Sequence, residues 1–217
     1  MTATARDYAA LVRATTTRAC APLVPEIALH LATDARDIWQ TVEEAVDDPR
    51  AKRPFWAFAW PGGIAKARLL LDRPELVAGR RVLDIGCGSG LGAIAAMLAG
   101  ARSVIANDID PLAIAATALN AAENGVAIET TNRDLLGDLP AGIDVVLLAD
   151  VVYEPELATR VAALLEVLRA RDALVLFADR GTTRLPLRPL ERLYECATTP
   201  YPELEPGHIE HGIVWRL

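Results

Sequence analysis

RVLDIGCGSGLG, residues 81–92, decides the fold. RVLDI is a short apolar run of strand type, glycines alternate at Gly86, Gly88 and Gly90, and the Ala-rich GLGAIAAMLAGA that follows is helical in composition. Glycines at such a strand-to-helix turn permit positive φ and let a ligand approach the backbone closely. A dinucleotide fingerprint, GxGxxG, competes for this stretch. Read from Gly86, that frame puts Leu91 where the third glycine belongs. Read from Gly88, it ends on Ala93 but begins two residues late. Asp84, a carboxylate at the strand end, also suits a positively charged ligand better than a pyrophosphate.

Outward from this turn the chain alternates. SVIAN (103–107), VAIETTN (126–132), IDVVLLA (143–149) and ALVLFA (173–178) read as strands. DPLAIAATALNAAENG (110–125) is predicted as a helix, with Asp110 as N-cap, Pro111 at its first position and Gly125 past its end. ELATRVAALLEVLRA (156–170) is a further helix. Apolar strands between helices imply a parallel sheet covered on both faces. RLYECATTPYPE and HGIVWRL predict a C-terminal antiparallel hairpin joined by a Pro-rich loop. Upstream, IAKARLLLDRPEL (64–76) reads as a helix, and residues 1 to about 50 read as helix-prone, with PLVPEIALHL and RDIWQTVEEAV at helical spacing. The expected architecture is therefore an α/β, Rossmann-like sheet domain over 55–217, behind an N-terminal helical extension over 1–54.

Bulk properties exclude several functions. With 52% hydrophobic residues and a mean hydropathy of +0.23, the 217-residue chain is no disordered protein. No apolar run reaches the ~18 residues a membrane span needs, and the N-terminus lacks the apolar core of a secretion signal. A cytoplasmic protein with no membrane partner is expected. A net charge of −7, with no basic stripe, argues against nucleic acid and for a basic protein segment or a small cationic substrate. Cys20, Cys87 and Cys196 show no CxxC spacing and read as reduced thiols in packing positions. His30, His208 and His211 show no metal-ligand register, and no metal is expected. Trp56 and Phe58 are expected to pack the segment before the first sheet strand, and Trp39 and Trp215 to pack in the core or at an edge. Lys52 and Lys66 are the two lysines, Lys66 expected on a solvated helix face.

Strand-Asp-x-Gly-x-Gly-x-Gly resembles the first motif of the seven-strand, class I S-adenosylmethionine-dependent methyltransferases. That ligand would bring an ammonium and a sulfonium to this turn, with its carboxylate near the helix N-terminus. Asp108 ends the next strand and is expected to accept from both ribose hydroxyls, a feature shared with nicotinamide folds. Asp134, in NRDLL, is expected to accept from the adenine amino group, with the Leu135 backbone beside the ring. A plain loop acid is the alternative for Asp134.

ADVVYEPE, residues 149–156, closes the fourth strand on Asp150 and offers Tyr153 three residues on. A helix cap followed by an exposed aromatic is one explanation. The other is a reaction centre, because ligands bind outside the carboxyl ends of parallel strands. Base-modifying methyltransferases carry Asn/Asp-Pro-Pro-Tyr here, whereas this chain has Val151 and Val152. Asp-x-x-Tyr resembles the protein-lysine methyltransferases of the seven-strand class. PLVPEI, FWAFAWPGGIAKARLLLDRPEL, IANDIDPLAIAATALN and DVVYEPEL together resemble the electron transfer flavoprotein beta subunit lysine methyltransferases, from about Pro22 to Asp179. The resemblance implies S-adenosylmethionine as cofactor and the flavoprotein beta subunit as protein partner. It implies further that Trp60 borders the cofactor and that Asp150 and Tyr153 line the lysine entrance. After the fifth strand, ADRGTTRLP departs from the family's Asp-Pro-Gly-Arg, so no role transfers to Asp179 or Arg180. Another protein lysine, for example on a ribosomal protein, a small amine, or a non-catalytic binding module are the alternatives.

Overall fold

The N-terminal extension is helical only in part. The computed structural model describes residues 5–49, 53–171, 173–181, 190–198 and 211–217. Helices α1 (Ala5–Thr15) and α2 (Ala35–Ala45) form as expected, but between them β1 (Thr17–Ala21) and β2 (Val24–Leu31) pair as an antiparallel hairpin. The second of these, β2, occupies the stretch expected as helix. Val24, Ile27 and Leu31 fit a helical repeat, while Ile27, Leu29 and Leu31 fit a strand, and a window this short satisfies both. Pairing with β1 and burial of Ile27, Leu29 and Leu31 decide for the strand.

The outer edge of β2 finds its partners on a helix. Asn120 and Asn124 stand four apart on α5, and their amides bond the β2 backbone. The N–H of His30 donates to Asn120 Oδ1 (2.7 Å), that of Ala28 donates to Asn124 Oδ1 (2.9 Å), and Asn124 Nδ2 donates to the Ala28 carbonyl (2.7 Å). Four helical residues rise about 6 Å and two strand residues about 6.6 Å, so the two repeats match. Asn120 Nδ2 also donates to the Ser89 carbonyl in the glycine loop (2.8 Å), tying the extension to the turn after the first sheet strand.

A short 3-10 turn over Phe55–Ala57 leads into α3 (Pro61–Asp72). Then follow β3 (Arg81–Ile85), α4 (Leu91–Leu98), β4 (Ser103–Asn107), α5 (Pro111–Glu123), β5 (Glu129–Thr131), β6 (Val145–Ala149), α6 (Pro155–Arg169), β7 (Leu174–Asp179), β8 (Glu191–Ala197) and β9 (His211–Arg216). The sheet runs β5-β4-β3-β6-β7-β9-β8, parallel through β7, with β9 antiparallel to both its neighbours. This is the expected seven-stranded sheet with its C-terminal hairpin. The loop carrying His208 lies outside the described residues, as does Lys52.

Alternation along the strands sorts two cores. Val82, Val104, Val145, Leu147 and Leu176 pack with α3 and α4 on one face. Leu83, Ile85, Val146, Leu148, Val175 and Phe177 pack with Leu164, Leu165 and Leu168 of α6 on the other. A third cluster joins Ile38 and Val42 of α2 to Trp56 and to Leu112 and Ala116 of α5. The packing expected of Trp56 and Phe58 is what the structure shows, both being buried.

Asn120→Ala strips partners from the part-buried His30 N–H and the buried Ser89 carbonyl together. A stability loss of about 2 kcal/mol is expected, read as a lower midpoint in urea unfolding, whereas a change within about 0.5 kcal/mol would show that the amide is not the tether.

Candidate active site

From β3 the chain winds outward through β4 to β5, then returns to lay β6 and β7 on the other side of β3. The direction reverses between β3 and β6, and a crevice opens there at the carboxyl ends of the strands. The glycine loop and Asp84 come from β3, Asp150 and Val151 from the end of β6.

Three glycines shape the floor. Gly86, Gly88 and Gly90 have φ of 68°, 52° and 81°. A Cβ on Gly86 would stand 2.4 Å from Val151 Cγ1, and one on Gly90 2.9 Å from the Thr117 side chain. At Gly88 the nearest neighbour would be the Trp56 backbone at 3.8 Å, so the loop backbone is laid bare at its middle. Cys87, between the first two, is buried against Thr117 (3.4 Å), and burial pushes its thiol well above the ordinary pKa. It behaves as the small packing residue expected of it. Cys20 does not: it is exposed on β1.

Asp108 faces the bared loop. Its Oδ2 accepts from the Gly88 N–H (3.0 Å) and its Oδ1 from the Asp110 N–H (3.0 Å). Each carboxylate oxygen accepts two hydrogen bonds, so both retain capacity for a vicinal diol. Burial raises its pKa, against the pull of those N–H groups. Asp110 caps α5 as expected, bonding the Leu112 N–H at 2.8 Å; burial and the neighbouring Asp108 push it to about 8.

Asp84 and Lys66 depart from expectation. Lys66 is not solvated: it is 2% exposed, and its Nζ lies 2.5 Å from Asp84 Oδ1. Helix α3 buries Ile64, Ala65, Ala67, Leu69 and Leu70 as well, and its accessible side carries the Arg68–Asp72 pair, round the helix from Lys66. Asp84 is fully buried beneath the glycine loop, its Oδ2 without a protein partner. A cation already sits on this carboxylate, and that cation is neutralised. No uncompensated positive charge is left there for a pyrophosphate, whereas the open backbone at Gly88 and the Asp108 carboxylate fit the diol of S-adenosylmethionine.

Asp150 is the cap of a helix, though not of the one that follows it. The N-cap of α6 is Glu154. Asp150 instead accepts from the N–H of Gly63 (Oδ2, 2.9 Å), in the first turn of α3, whose own N-cap residue Trp60 offers no side-chain bond. Its φ is 54°, a conformation that Asp tolerates better than most side chains. A Cβ on Gly62 would stand 2.7 Å and 2.8 Å from its two oxygens. Burial pushes its pKa up to about 6, opposed by the Gly63 N–H and Lys66 and assisted by Asp179.

An aromatic cluster comes from the segments on either side of this carboxylate, the stretch leading into α3 and the turn after β6. Phe55 is the hub, edge-on to Trp39 (5.6 Å between centroids), Trp60 (5.8 Å) and Tyr153 (5.2 Å). The Trp60 indole N–H donates to the Phe55 carbonyl (2.8 Å), and Arg53 pairs with Glu154 across the same seam. Tyr153 is 54% exposed. Trp39 thus belongs to the rim rather than to the core. Asp134 lies further out, half exposed, its carboxylate engaged by Arg160 of α6 at 2.6 and 2.8 Å. Burial raises its pKa, but the Arg160 bond and charge and the Leu136 N–H together outweigh this and the net shift is downward. Leu135 beside it is buried. Sequence reading missed Lys66, Gly62, Gly63, Phe55 and Thr117; the Gly62-Gly63 pair at a helix start and the apolar neighbours of Lys66 were the signals visible.

Residues 70–170 match the family model described as ribosomal protein L11 methyltransferase (PrmA). The electron transfer flavoprotein beta subunit lysine methyltransferase of Xenopus laevis is 40% identical over 173 residues, 79% of this chain and 69% of that protein. The protein of the same name from Danio rerio is 46% identical over 137 residues, 63% of this chain and 52% of that protein. The chain therefore spans between about half and 69% of the length of these relatives. Among solved structures, a conserved hypothetical protein of Streptococcus pyogenes superposes with a TM-score of 0.52 at 17% identity, over 70% of this chain and 93% of that one, a likeness of fold alone.

An acid whose folded pKa is raised stabilises the fold fully below its unfolded value and loses that contribution as pH rises through the folded one. For Asp150 the loss runs from about pH 4 to above pH 6. Asp150→Asn keeps the acceptor for Gly63 and removes the charge. It is expected to be more stable than wild type by on the order of 2 kcal/mol at pH 7.5 and equal to it near pH 4. Urea unfolding at both pH values checks this; a gap independent of pH would contradict it.

Proposed function

The chain belongs to the electron transfer flavoprotein beta subunit lysine methyltransferase family, and we propose on that premise that it moves a methyl group from S-adenosylmethionine to a lysine amine of that flavoprotein's beta subunit. The observation that carries this reading is a partly buried carboxylate, Asp150, at the switch-point crevice, bound to the first turn of α3 and flanked in the chain by the residues of the Phe55, Trp60 and Tyr153 ring cluster. When bound, S-adenosylmethionine supplies a methyl group on an electrophilic sulfonium. The bared backbone at Gly88, with Gly86 and Gly90 on either side, holds this cofactor, Asp108 takes its ribose hydroxyls, and Trp60 borders it. Asp134 and the Leu135 backbone serve the adenine from the rim, and Asp84 acts from beneath the loop.

A lysine amine, with a pKa of ~10.4 in water, must lose its proton to solvent before it can attack. Entry past the aromatic rim desolvates the ammonium and lowers that value. Asp150, with a pKa of about 6, is ionised at neutral pH and too weak a base to take the proton outright. It orients the amine through the hydrogens that remain, using Oδ1, while Gly63 holds Oδ2. Its charge then offsets the positive charge that grows on nitrogen. The Tyr153 ring offers a face to the cation, worth on the order of 0.5–2 kcal/mol. Alignment of nitrogen, methyl and sulfur supplies much of the remaining rate.

In this reading residues 1–54 are an extension that adds Trp39 to the rim of a methyltransferase domain over 55–217. All three cysteines are free thiols, which supports a cytoplasmic location. No helix among the described residues is long and apolar enough to cross a membrane. The net charge of −7 supports a protein partner rather than nucleic acid.

Labelled methyl transfer to purified flavoprotein beta subunit, mapped by mass spectrometry, tests the proposal. Label at lysine is expected, with turnover of Asp150→Asn down by about 100-fold and cofactor affinity within about threefold of wild type. The match to the ribosomal protein L11 methyltransferase model makes L11 the natural second acceptor to include. Label there and none on the flavoprotein would keep the lysine chemistry and overturn the target, and absence of lysine label on both would overturn the reaction.

A further inference from the structure

We propose that Lys66 is a positioning residue for methyl transfer: its buried ammonium, held by Asp84, is the positive end of an ion pair that keeps the Asp150 carboxylate in its working state at the acceptor crevice. The inference rests on Asp150 being the acceptor-side carboxylate.

Lysine is almost never fully buried unless paired, and two helices are built around this one. A Cβ on Gly92 of α4 would stand 2.3 Å from Lys66 Cε and 2.7 Å from Nζ, so only glycine admits the side chain. Stability does not account for the arrangement, because a buried ion pair can usually be replaced by apolar groups without loss. What the pair adds is a dipole at a chosen place, with its positive end on α3. Lys66 lies one turn along α3 from Gly62 and Gly63, and residues three and four apart share a helix face. Gly62 is the residue whose missing Cβ makes room for the Asp150 carboxylate, and Gly63 is the one whose N–H binds it. The same face of α3 therefore presents Asp150 with a hydrogen-bond donor and then the ammonium end of the Lys66–Asp84 pair.

The groups around Asp150 are few. Lys66 and the Gly63 N–H on α3 and Arg180 after β7 favour its ionised form; burial and Asp179 at the end of β7 oppose it. With Lys66 removed, the balance tips toward the protonated acid. A protonated Asp150 carries no charge to set against the positive nitrogen of the reacting amine. Lys66 itself need touch neither cofactor nor substrate.

The test is single-turnover methyl transfer from S-adenosylmethionine to the flavoprotein beta subunit, followed from pH 5 to 8. Deprotonation of the acceptor lysine gives log rate a slope of one across this range, and protonation of Asp150 adds a second unit below its own pKa, so the profile breaks near pH 6. In Lys66→Met/Asp84→Asn, which leaves no unpaired buried charge, the break is expected to move up by about one pH unit. Lys66→Arg, which keeps the charge, is expected to hold it in place. Should the first pair fail to fold, Lys66→Gln/Asp84→Asn provides a neutral hydrogen-bonded pair for the same measurement. A break that stays put in the neutral pair, with or without a change in cofactor affinity, overturns the role of Lys66. Asp150→Asn separates the two levels: its profile must lose the break, and if the break and wild-type turnover both persist, the acceptor-side reading of Asp150 falls and the proposal with it.

Discussion

One hydrogen bond, from the Gly63 N–H to Asp150 Oδ2, joins the start of α3 to the end of β6 and constrains everything near it. The first turn of any helix has N–H groups with no partner inside the helix, and Trp60 at the N-cap of α3 has no side-chain acceptor to give. Asp150 fills that place from 87 residues away. To do so the carboxylate must lie against the helix, so residue 62 has no room for a Cβ. The other side of the same turn is equally tight, since a Cβ on Gly212 of β9 would fall 2.1 Å from the Pro61 carbonyl oxygen. The Trp-Pro-Gly-Gly start of α3 is thus a wedge between the switch-point loop and the antiparallel strand.

The wedge explains why a carboxylate can be kept where burial disfavours it. Asp150 sits at the positive end of a helix dipole, with Lys66 a turn further on. These oppose desolvation without overcoming it, and the pKa settles at about 6 instead of the ordinary 3.8. Asp108 and Asp110 are raised for the same first reason, burial, and they too are held by backbone N–H groups at the carboxyl end of a strand. Acids gathered at one end of a parallel sheet oppose folding at neutral pH, and perturbed carboxylates of this kind cluster at functional sites.

Much of the fold was legible in the chain. β3, β4, β6 and β7 are apolar runs bounded by polar turns, and the glycine loop with Asp108 behind it carries its own geometry. Asp150 and Tyr153 stand out in the chain as an acid and a phenol just after an apolar strand, but the bond from the Gly63 N–H to Asp150 does not. The rest depended on contacts distant in sequence. VPEIALHL satisfies two periods at once, and only pairing with β1 chooses between them. Asn120 and Asn124 are visible as an i, i+4 pair, but the strand they bind lies about 90 residues earlier. Lys66 was misread because a lysine on a helix is ordinarily solvated. The signal against it was the composition of α3 itself, where Ile64, Ala65, Ala67, Leu69 and Leu70 leave only the side of Arg68 and Asp72 polar.

The central claim is that the acceptor nitrogen is held by Asp150, between the aromatic rim and the glycine loop. A crystal structure of the full chain with S-adenosylhomocysteine and its lysine-bearing protein acceptor tests this most directly. The account requires the lysine Nζ within about 3 Å of Asp150 Oδ1, in line with the sulfur, with the aliphatic stem against Phe55 and Tyr153. A lysine that enters past Asp134, or an Asp150 with both oxygens turned into α3 and out of reach of Nζ, would contradict it.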